Sequence, residues 1–353
     1  MGGEMESSVW RRRFGSSPAC ERPSKRVWAI LGGMEGSVDA NGDLIFERWD
    51  AAVAADPWID PICSRSAWQR SYHEAFAPER RLHLSEQEGS WVLLAEVEEP
   101  GDDPRFESLE NMWGLGSSLA GPGAATQWAE RLRRTPVSSL LLGLPLDAQR
   151  LAPLLDGVGG RFSVRALPPL ERCVASLTGG MEGWLSRRSK SFRRNLRAAV
   201  RRTQTEGIEF RWLSQLSDPE WPGLYRQILE VESASWKGLA GQGVDRGPME
   251  AFYRRLLPRL LAEGQLRILL AERDGELVGY LHGAQWEGVF RGLQFSFDDR
   301  WNRLGLGHVL QREALVQLCE AGVQQYDLGT PHDYKQAWSE PGLVTVGLWL
   351  QPR

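Results

Sequence analysis

Residues 289–308 read Val-Phe-Arg-Gly-Leu-Gln-Phe-Ser-Phe-Asp-Asp-Arg-Trp-Asn-Arg-Leu-Gly-Leu-Gly-His. Up to Phe297 the apolar residues Leu293, Phe295 and Phe297 alternate with smaller or polar ones, the period-two pattern of a half-buried strand. Asn302 to Gly307 is then a glycine-containing turn, and an amphipathic helix is expected from His308 to about Ala321, capped by Gly322. A strand, a glycine turn and a helix in that order form an anion site. The first N–H groups of the helix have no internal partner and point outward, and glycines let a bulky diphosphate approach them.

Working outward strengthens this reading. Leu266 to Glu272 is an apolar strand, Asp274-Gly275 is a pair favoured in tight hairpins, and Leu277 to Trp286 is a second strand. Glu287-Gly288 turns the chain into Phe290–Phe297, which completes a three-strand meander, and Val323 to Leu328 is a further strand beyond the helix. The unit is compatible with the pyrophosphate of coenzyme A.

Elsewhere the pattern is mixed α/β. Helices are expected around Trp49 to Ala55, from Ser64 to Phe76, from Gly121 to about Arg134, over Leu151–Leu155, Gly183–Thr203, Pro219–Trp236 and Pro248–Glu263. Strands are expected at Trp91–Val97, Ser138–Leu144 and Glu209–Leu213. Pro168-Pro169 and Gly179-Gly180 punctuate the chain, which places a boundary near residue 175. The organisation read from this is a mobile leader over residues 1–40, an N-terminal domain over 41–175 and a C-terminal domain over 176–353. Two domains also suit 353 residues, at about 100–200 residues per domain.

Composition narrows the function classes. With 42% hydrophobic and 25% charged residues the chain is globular in type, and no apolar run approaches the roughly 18 residues of a membrane span. A net charge of −4 gives no general attraction for nucleic acid or anionic membrane. Cys20, Cys63, Cys173 and Cys319 lie far apart, and His73, His83, His282, His308 and His332 show no ligand spacing, so no metal site is expected and a cytoplasmic location fits.

The turn resembles that of the GNAT (GCN5-related N-acetyltransferase) enzymes, in which the fourth strand leads into Gln/Arg-x-x-Gly-x-Gly/Ala ahead of the helix that receives the acyl-CoA pyrophosphate. Gly305 and Gly307 match, and Asn302 departs from the Gln/Arg position. More narrowly, Ser189–Leu196, Glu232, Ser235–Gly238, Phe297–Asp299, Asp327–Gly329, Tyr334-Lys335 and Trp338 resemble the BioF2-like or CelD-like acetyltransferases. That group is similar to Fem-type transferases. The resemblance implies an α/β (α+β) GNAT fold with two GNAT-like units in tandem, a mixed sheet flanked by helices, and a donor site in the second unit.

The implied co-substrate is acetyl-CoA or a longer acyl-CoA, bound by Arg303, Leu304, Gly305, Leu306, Gly307 and His308. Its acyl group would pass directly to an amine or hydroxyl of a sugar, envelope precursor or peptide. Asp298 is implied as the group that orients or deprotonates the acceptor, and Lys335 as a contact to the donor or an oxyanion. His282, mid-strand, is either a satisfied core histidine or a base whose ordinary pKa of about 6.5 suits an ammonium acceptor. Glu232, Trp236, Lys237 and Tyr334 form a candidate acceptor lip, and Trp301 is a candidate contact for pantetheine or an acyl chain.

The basic helix (Arg187, Arg188, Lys190, Arg193, Arg194, Arg197, Arg201, Arg202) reads either as a solvated face or as a patch for the CoA 3′-phosphate, an acidic acceptor or tRNA phosphates. Two other functions are therefore open: Fem-like transfer from aminoacyl-tRNA, and a non-catalytic GNAT-like binding protein.

Overall fold

The computed structural model describes residues 27–31, 34–38, 42–216 and 220–353. Most of the expected leader lies outside them, but Val27–Leu31 (β1) and Met34–Val38 (β2) form an antiparallel ribbon whose β1 runs parallel to β3 (Arg81–Gln87). The first half continues with α1 (Gly42–Ala55), α2 (Ser66–Phe76), β3, β4 (Ser90–Val97), β5 (Arg105–Ser108), β6 (Leu119–Ala120), α3 (Ala124–Arg134), β7 (Ser138–Pro145), α4 (Ala148–Val158), β8 (Phe162–Ala166) and β9 (Leu170–Ser176). The second half holds α5 (Gly180–Ser186), α6 (Lys190–Thr205), β10 (Glu209–Leu213), α7 (Trp221–Ala234), α8 (Trp236–Leu239), α9 (Gly247–Ala262), β11 (Leu266–Arg273), β12 (Glu276–Trp286), β13 (Val289–Phe297), α10 (Leu306–Glu320), β14 (Gln325–Gly329), α11 (Asp333–Gln336) and β15 (Glu340–Pro352).

All the strands join one mixed sheet, ordered β10-β11-β12-β13-β14-β9-β15-β7-β5-β4-β3-β1-β2, with β6 on β4 and β8 on β15. The same unit occurs twice within it. A hairpin (β3–β4, then β11–β12) adds a third strand (β5, β13), a helix crosses over (α3, α10), and a parallel strand (β7, β14) follows. Both hairpins turn on a residue pair with positive φ, Glu88-Gly89 and Asp274-Gly275, whose left-handed backbone matches the twist of tight two-residue turns. The C-terminal strand β15 inserts between β7 and β9 and so knits the two units into one sheet.

Periodicity explains most of these elements, and local chemistry explains the departures. The basic stretch expected as one helix is two, because Ser189 breaks it: its backbone is extended and its hydroxyl accepts from Phe192 N at 3.1 Å, an N-cap that starts α6. Strands β9 and β15 were not visible in the pattern, and both lie inside the sheet between the units.

Helices cover both faces of the second unit. Trp184, Leu196, Leu310, Ala314 and Leu318 from α5, α6 and α10 pack on one face. On the other, α7 and α9 are joined by Trp68 and Tyr72 of α2, with Trp68 edge-on to Phe252 at 5.0 Å. Truncating such a buried aromatic costs about 3–5 kcal/mol, so this contact adds to the attachment that β15 and the Arg259–Glu74 pair also supply.

Candidate functional site

Strands β13 and β14 are paired over three rungs only: Val289 with Gln325, Phe290 with Tyr326, and Arg291 with Asp327. Beyond that point they part. On β13 the register against β12 slips between His282 and Gly283, leaving Leu293 as an extra residue, a bulge that bends the strand away. On β14, Gly329 takes φ +85° and its N–H bonds Asp327 Oδ1 at 2.7 Å, turning the chain off the β13 edge.

The gap is a cleft of about 350 Å³. Gly292–Phe297 form one wall, Leu328 and Thr330 the other, and Tyr334 and Lys335 lie at its end. Trp236 and Lys237 of α8 make a lip, with Trp236 54% exposed. Four of the candidates from the sequence, Trp236, Lys237, Tyr334 and Lys335, are thus gathered around one space.

Their charges are set by burial. Lys237 Nζ donates to Phe295 O at 3.1 Å, on the strand edge that has lost its neighbour, and stands 3.5 Å from Glu232 Oε1. Burial lowers the Lys237 pKa, against the pull of Glu232. Glu232 is fully buried and accepts from Tyr280 Oη at 2.8 Å and Val244 N at 3.1 Å. Lys335 Nζ donates to Thr330 O at 2.8 Å, and burial, reinforced by the charge of Arg291, brings its pKa down to about 8. In an extended strand a residue's N–H and C=O share an edge, so the Phe295 N–H also faces the cleft.

Two other candidates lie outside the cleft lining. His282 is only 2% exposed, stacked on Tyr280 and edge-on to Tyr253 at 5.4 Å, with burial and then the Lys237 charge pushing its pKa down to about 3. Asp298 accepts from Arg300 N at 2.9 Å and Arg300 Nε at 2.8 Å. Although burial raises the Asp298 pKa, these bonds hold its carboxyl below the usual range. Trp301, expected near a substrate chain, is instead packed against the core under the guanidinium of Arg273 at 4.8 Å.

The glycine turn forms a second recess beside the first. Asp299–Leu304 is a short 3-10 helix, and Gly305, at φ +76°, caps α10. Of Arg303, Leu304, Gly305, Leu306, Gly307 and His308, only His308 lines this recess of about 480 Å³, together with Asn195 and Arg202 of α6 and Tyr334, which it shares with the cleft. Leu304 and Leu306 are buried, and Arg202 donates to Leu304 O at 3.0 Å, so the turn offers backbone rather than side chains. A Cβ on Gly307 would lie 2.8 Å from Phe297, so that glycine is required by packing against the cleft wall.

Sequence reasoning missed what fixes the apex of the cleft. Arg291 pairs with Asp327 at 2.6 Å, and Asp327 also pairs with Arg172 of β9 at 3.0 Å. Arg172 reaches Asp60 and the carbonyl of Leu115 in the first half. These contacts span 155 and 112 residues of sequence, and no local pattern announces them.

The first unit has the corresponding gap, since β5 and β7 are also paired over three rungs, Arg105–Glu107 with Ser138–Leu140. There the loop after β5 packs into it, with a cavity of about 890 Å³ opening alongside Arg105, Glu107, Trp113 and Leu140. The loop after β5 folds around the buried Glu110, whose carboxylate accepts from the N–H groups of Met112, Trp113, Gly114 and Leu115. Its Gly114 and Gly116 pack against Leu142 and Gly143 of β7.

Among the described residues no group of His, Cys, Asp and Glu could hold a metal ion, and no helix is long and apolar enough to cross a membrane.

Comparison with known proteins agrees with this geometry. Residues 190–336 match the acetyltransferase (GNAT) domain family. No curated protein matches the chain. Among solved structures it is similar to FemX, with a TM-score of 0.61 and 9% identity over 87% of this chain and 96% of that one. It is also similar to a conserved protein of unknown function from Bacteroides thetaiotaomicron, with a TM-score of 0.58 and 11% identity over 87% and 97% of the two chains. The C-terminal domain of a putative lysylphosphatidylglycerol synthetase from Agrobacterium fabrum gives 0.55 and 14% over 88% and 92%. At such identities the likeness is one of fold: a tandem, GNAT-like transferase fold with a GNAT domain in its second half.

Proposed function

We propose that this chain transfers an acyl group from acyl-CoA to an amine or hydroxyl of an acceptor, in the manner of the BioF2-like or CelD-like group. The observation that carries this reading is the open cleft between β13 and β14, beside the N-terminus of α10 and ending at Lys335. The N-terminal end of α10 and the adjoining recess at His308 and Arg202 would take the diphosphate. The thioester would then lie along the free β13 edge, its carbonyl oxygen accepting from the Phe295 N–H.

An acceptor amine entering past Trp236 and Lys237 attacks the thioester carbon. The new C–N bond forms as the C–S bond breaks, the sulfur leaves as the CoA thiolate, and the amine loses one proton. Lys335, whose pKa of about 8 leaves it partly neutral near neutral pH, is the acceptor of that proton that we favour. His282 and Asp298 then serve to position the wall and the turn, and Glu232 to hold Lys237. Sugar amines, envelope precursors and peptides all offer a suitable nucleophile, and a cytoplasmic location fits a CoA donor.

A second reading places an aminoacyl-tRNA in the same cleft, as in Fem-like transfer. It is favoured by α6, which carries Lys190, Arg193, Arg194, Arg197, Arg201 and Arg202 and no carboxylate. A third, a non-catalytic binding role, rests on Asn302 alone.

Thermal stability in the presence of acetyl-, hexanoyl- and palmitoyl-CoA tests the first reading, because a ligand bound only by the folded state raises the midpoint. A shift abolished by bulky replacements at Gly305 supports it and ranks the donors. No shift with any of the three sinks it, and a shift with aminoacyl-tRNA alone selects the second reading.

A further inference from the structure

The cations of α6 are divided between two flanks. Arg202 and Asn195 face the recess beside the glycine turn, whereas Arg193, Arg197 and Arg201, with Arg312 of α10, ring a separate cavity of about 320 Å³. The three α6 arginines follow i, i+4 spacing and so share one face of the helix. Arg193 gives one bond to Leu185 O at 3.4 Å, and Arg312 pairs with Glu313. Among the described residues, neither Arg197 nor Arg201 meets a carboxylate. In a chain of net charge −4 this is segregation of charge, and clustered guanidiniums repel one another unless an anion lies among them.

The floor of the cavity decides what kind of anion. Between the arginines lie Met181, Leu185, Leu196 and Val200, an aliphatic surface. A nucleic-acid backbone would set polar phosphate and sugar against that floor, and a small soluble anion would reach only the rim. A phospholipid offers both parts, a phosphate for the arginine rim and an acyl chain that can turn back from the bilayer onto the aliphatic floor.

We infer that this flank of α5, α6 and α10 docks on an anionic phospholipid surface, with a headgroup phosphate among Arg193, Arg197, Arg201 and Arg312 and an acyl chain of that lipid turned back into the aliphatic cavity. The inference is independent of the donor used in the cleft, which lies on the other flank of α6.

Co-sedimentation with vesicles of phosphatidylcholine alone, and of phosphatidylcholine mixed with phosphatidylglycerol, tests it on the full chain. The protein is expected to sediment with the mixed vesicles only. At about 1 kcal/mol per surface cation, the double substitution Arg197→Ala, Arg201→Ala is expected to weaken that binding about 30-fold. Both side chains are exposed and unpaired, so the variant keeps the parent's thermal midpoint. Equal binding to neutral vesicles, no binding to either kind, or a double variant that binds like the parent would overturn the inference. So would release from the vesicles by soluble glycerol phosphate, which would mark a free-phosphate site. Uptake of tRNA in place of vesicles, lost in the double variant, overturns it in favour of nucleic acid.

Discussion

Arg291 on β13 holds Asp327 on β14 at 2.6 Å, on the last rung before the two strands part. The pair fixes where the cleft begins, and Arg172 extends it to Asp60 and Leu115 of the first half. Two guanidiniums and two carboxylates are thus buried together. Replacing Asp327 by Asn leaves Arg172 with Asp60 and Arg291 with no carboxylate among the described residues, and removing one partner from such a group costs about 3–5 kcal/mol. Urea unfolding of Asp327→Asn is expected to show a loss of that size. A change below about 1 kcal/mol would mean that the network does not hold the apex.

The same carboxylate predicts an acid limb. Burial raises its pKa, but Arg291, Arg172 and the Gly329 N–H outweigh that and hold it below the ordinary carboxylate value. Its stabilisation is therefore complete above the unfolded pKa of about 3.9 and is lost as pH falls through the folded value. The gap in unfolding midpoint between the parent and Asp327→Asn should narrow as the solution is acidified below that point.

Lys335 predicts the pH dependence of activity. With its pKa brought down to about 8 by burial and Arg291, the fraction able to accept a proton rises through that pH. The rate at saturating acceptor should climb to a plateau above it. Lys335→Met should lower kcat by about 10²–10⁴-fold and remove the inflection. An unchanged profile in the variant would assign the proton to another group.

How much of this was legible in the sequence depends on the range of the interaction. The meander, the Asp274-Gly275 hairpin, the glycine turn and α10 are local, and their boundaries fall within a few residues of expectation. Trp236, Lys237, Tyr334 and Lys335 could be placed near one another only through resemblance, since 98 residues separate Lys237 from Lys335. The buried pairing of Arg172 with Asp327, and the insertion of β15 between β7 and β9, had no signal at all. Both depend on a sheet assembled from distant strands. Glycine at 307 was legible as a residue but not in its reason, which is contact with Phe297.

That contact separates the two glycines of the turn. Gly305 sits at φ +76°, where an alanine costs about 1–2 kcal/mol of backbone strain, and its added methyl would meet Ala199 at 3.3 Å. Gly307→Ala instead pushes on Phe297, an overpacking cost of about 1–3 kcal/mol borne by the cleft wall. Both variants should be less stable. The donor-induced thermal shift should fall in each, and acceptor KM should change only in Gly307→Ala. An acceptor effect in both variants would mean that the turn and the wall move together.

Lys237 and Glu232 allow the sharpest test of the lip. Glu232 is fully buried and accepts from Tyr280, Val244 and Gln294 as well as facing the lysine, while Lys237 has Glu232 and the Phe295 carbonyl as its partners. Glu232→Gln leaves a mostly buried ammonium without its counter-charge, and Lys237→Met leaves the carboxylate buried with three neutral donors, Tyr280, Val244 and Gln294. Each single change should destabilise the fold by about 3–5 kcal/mol. In the double variant neither charge remains, so the loss should be smaller than the sum by roughly 1–3 kcal/mol. The free edge of β13 supplies the second readout. Without the ammonium on Phe295 O, acceptor KM should rise in Lys237→Met and in the double variant alike, although their stabilities differ. If KM tracks stability instead, the lip acts through packing alone and its charge has no part in binding the acceptor.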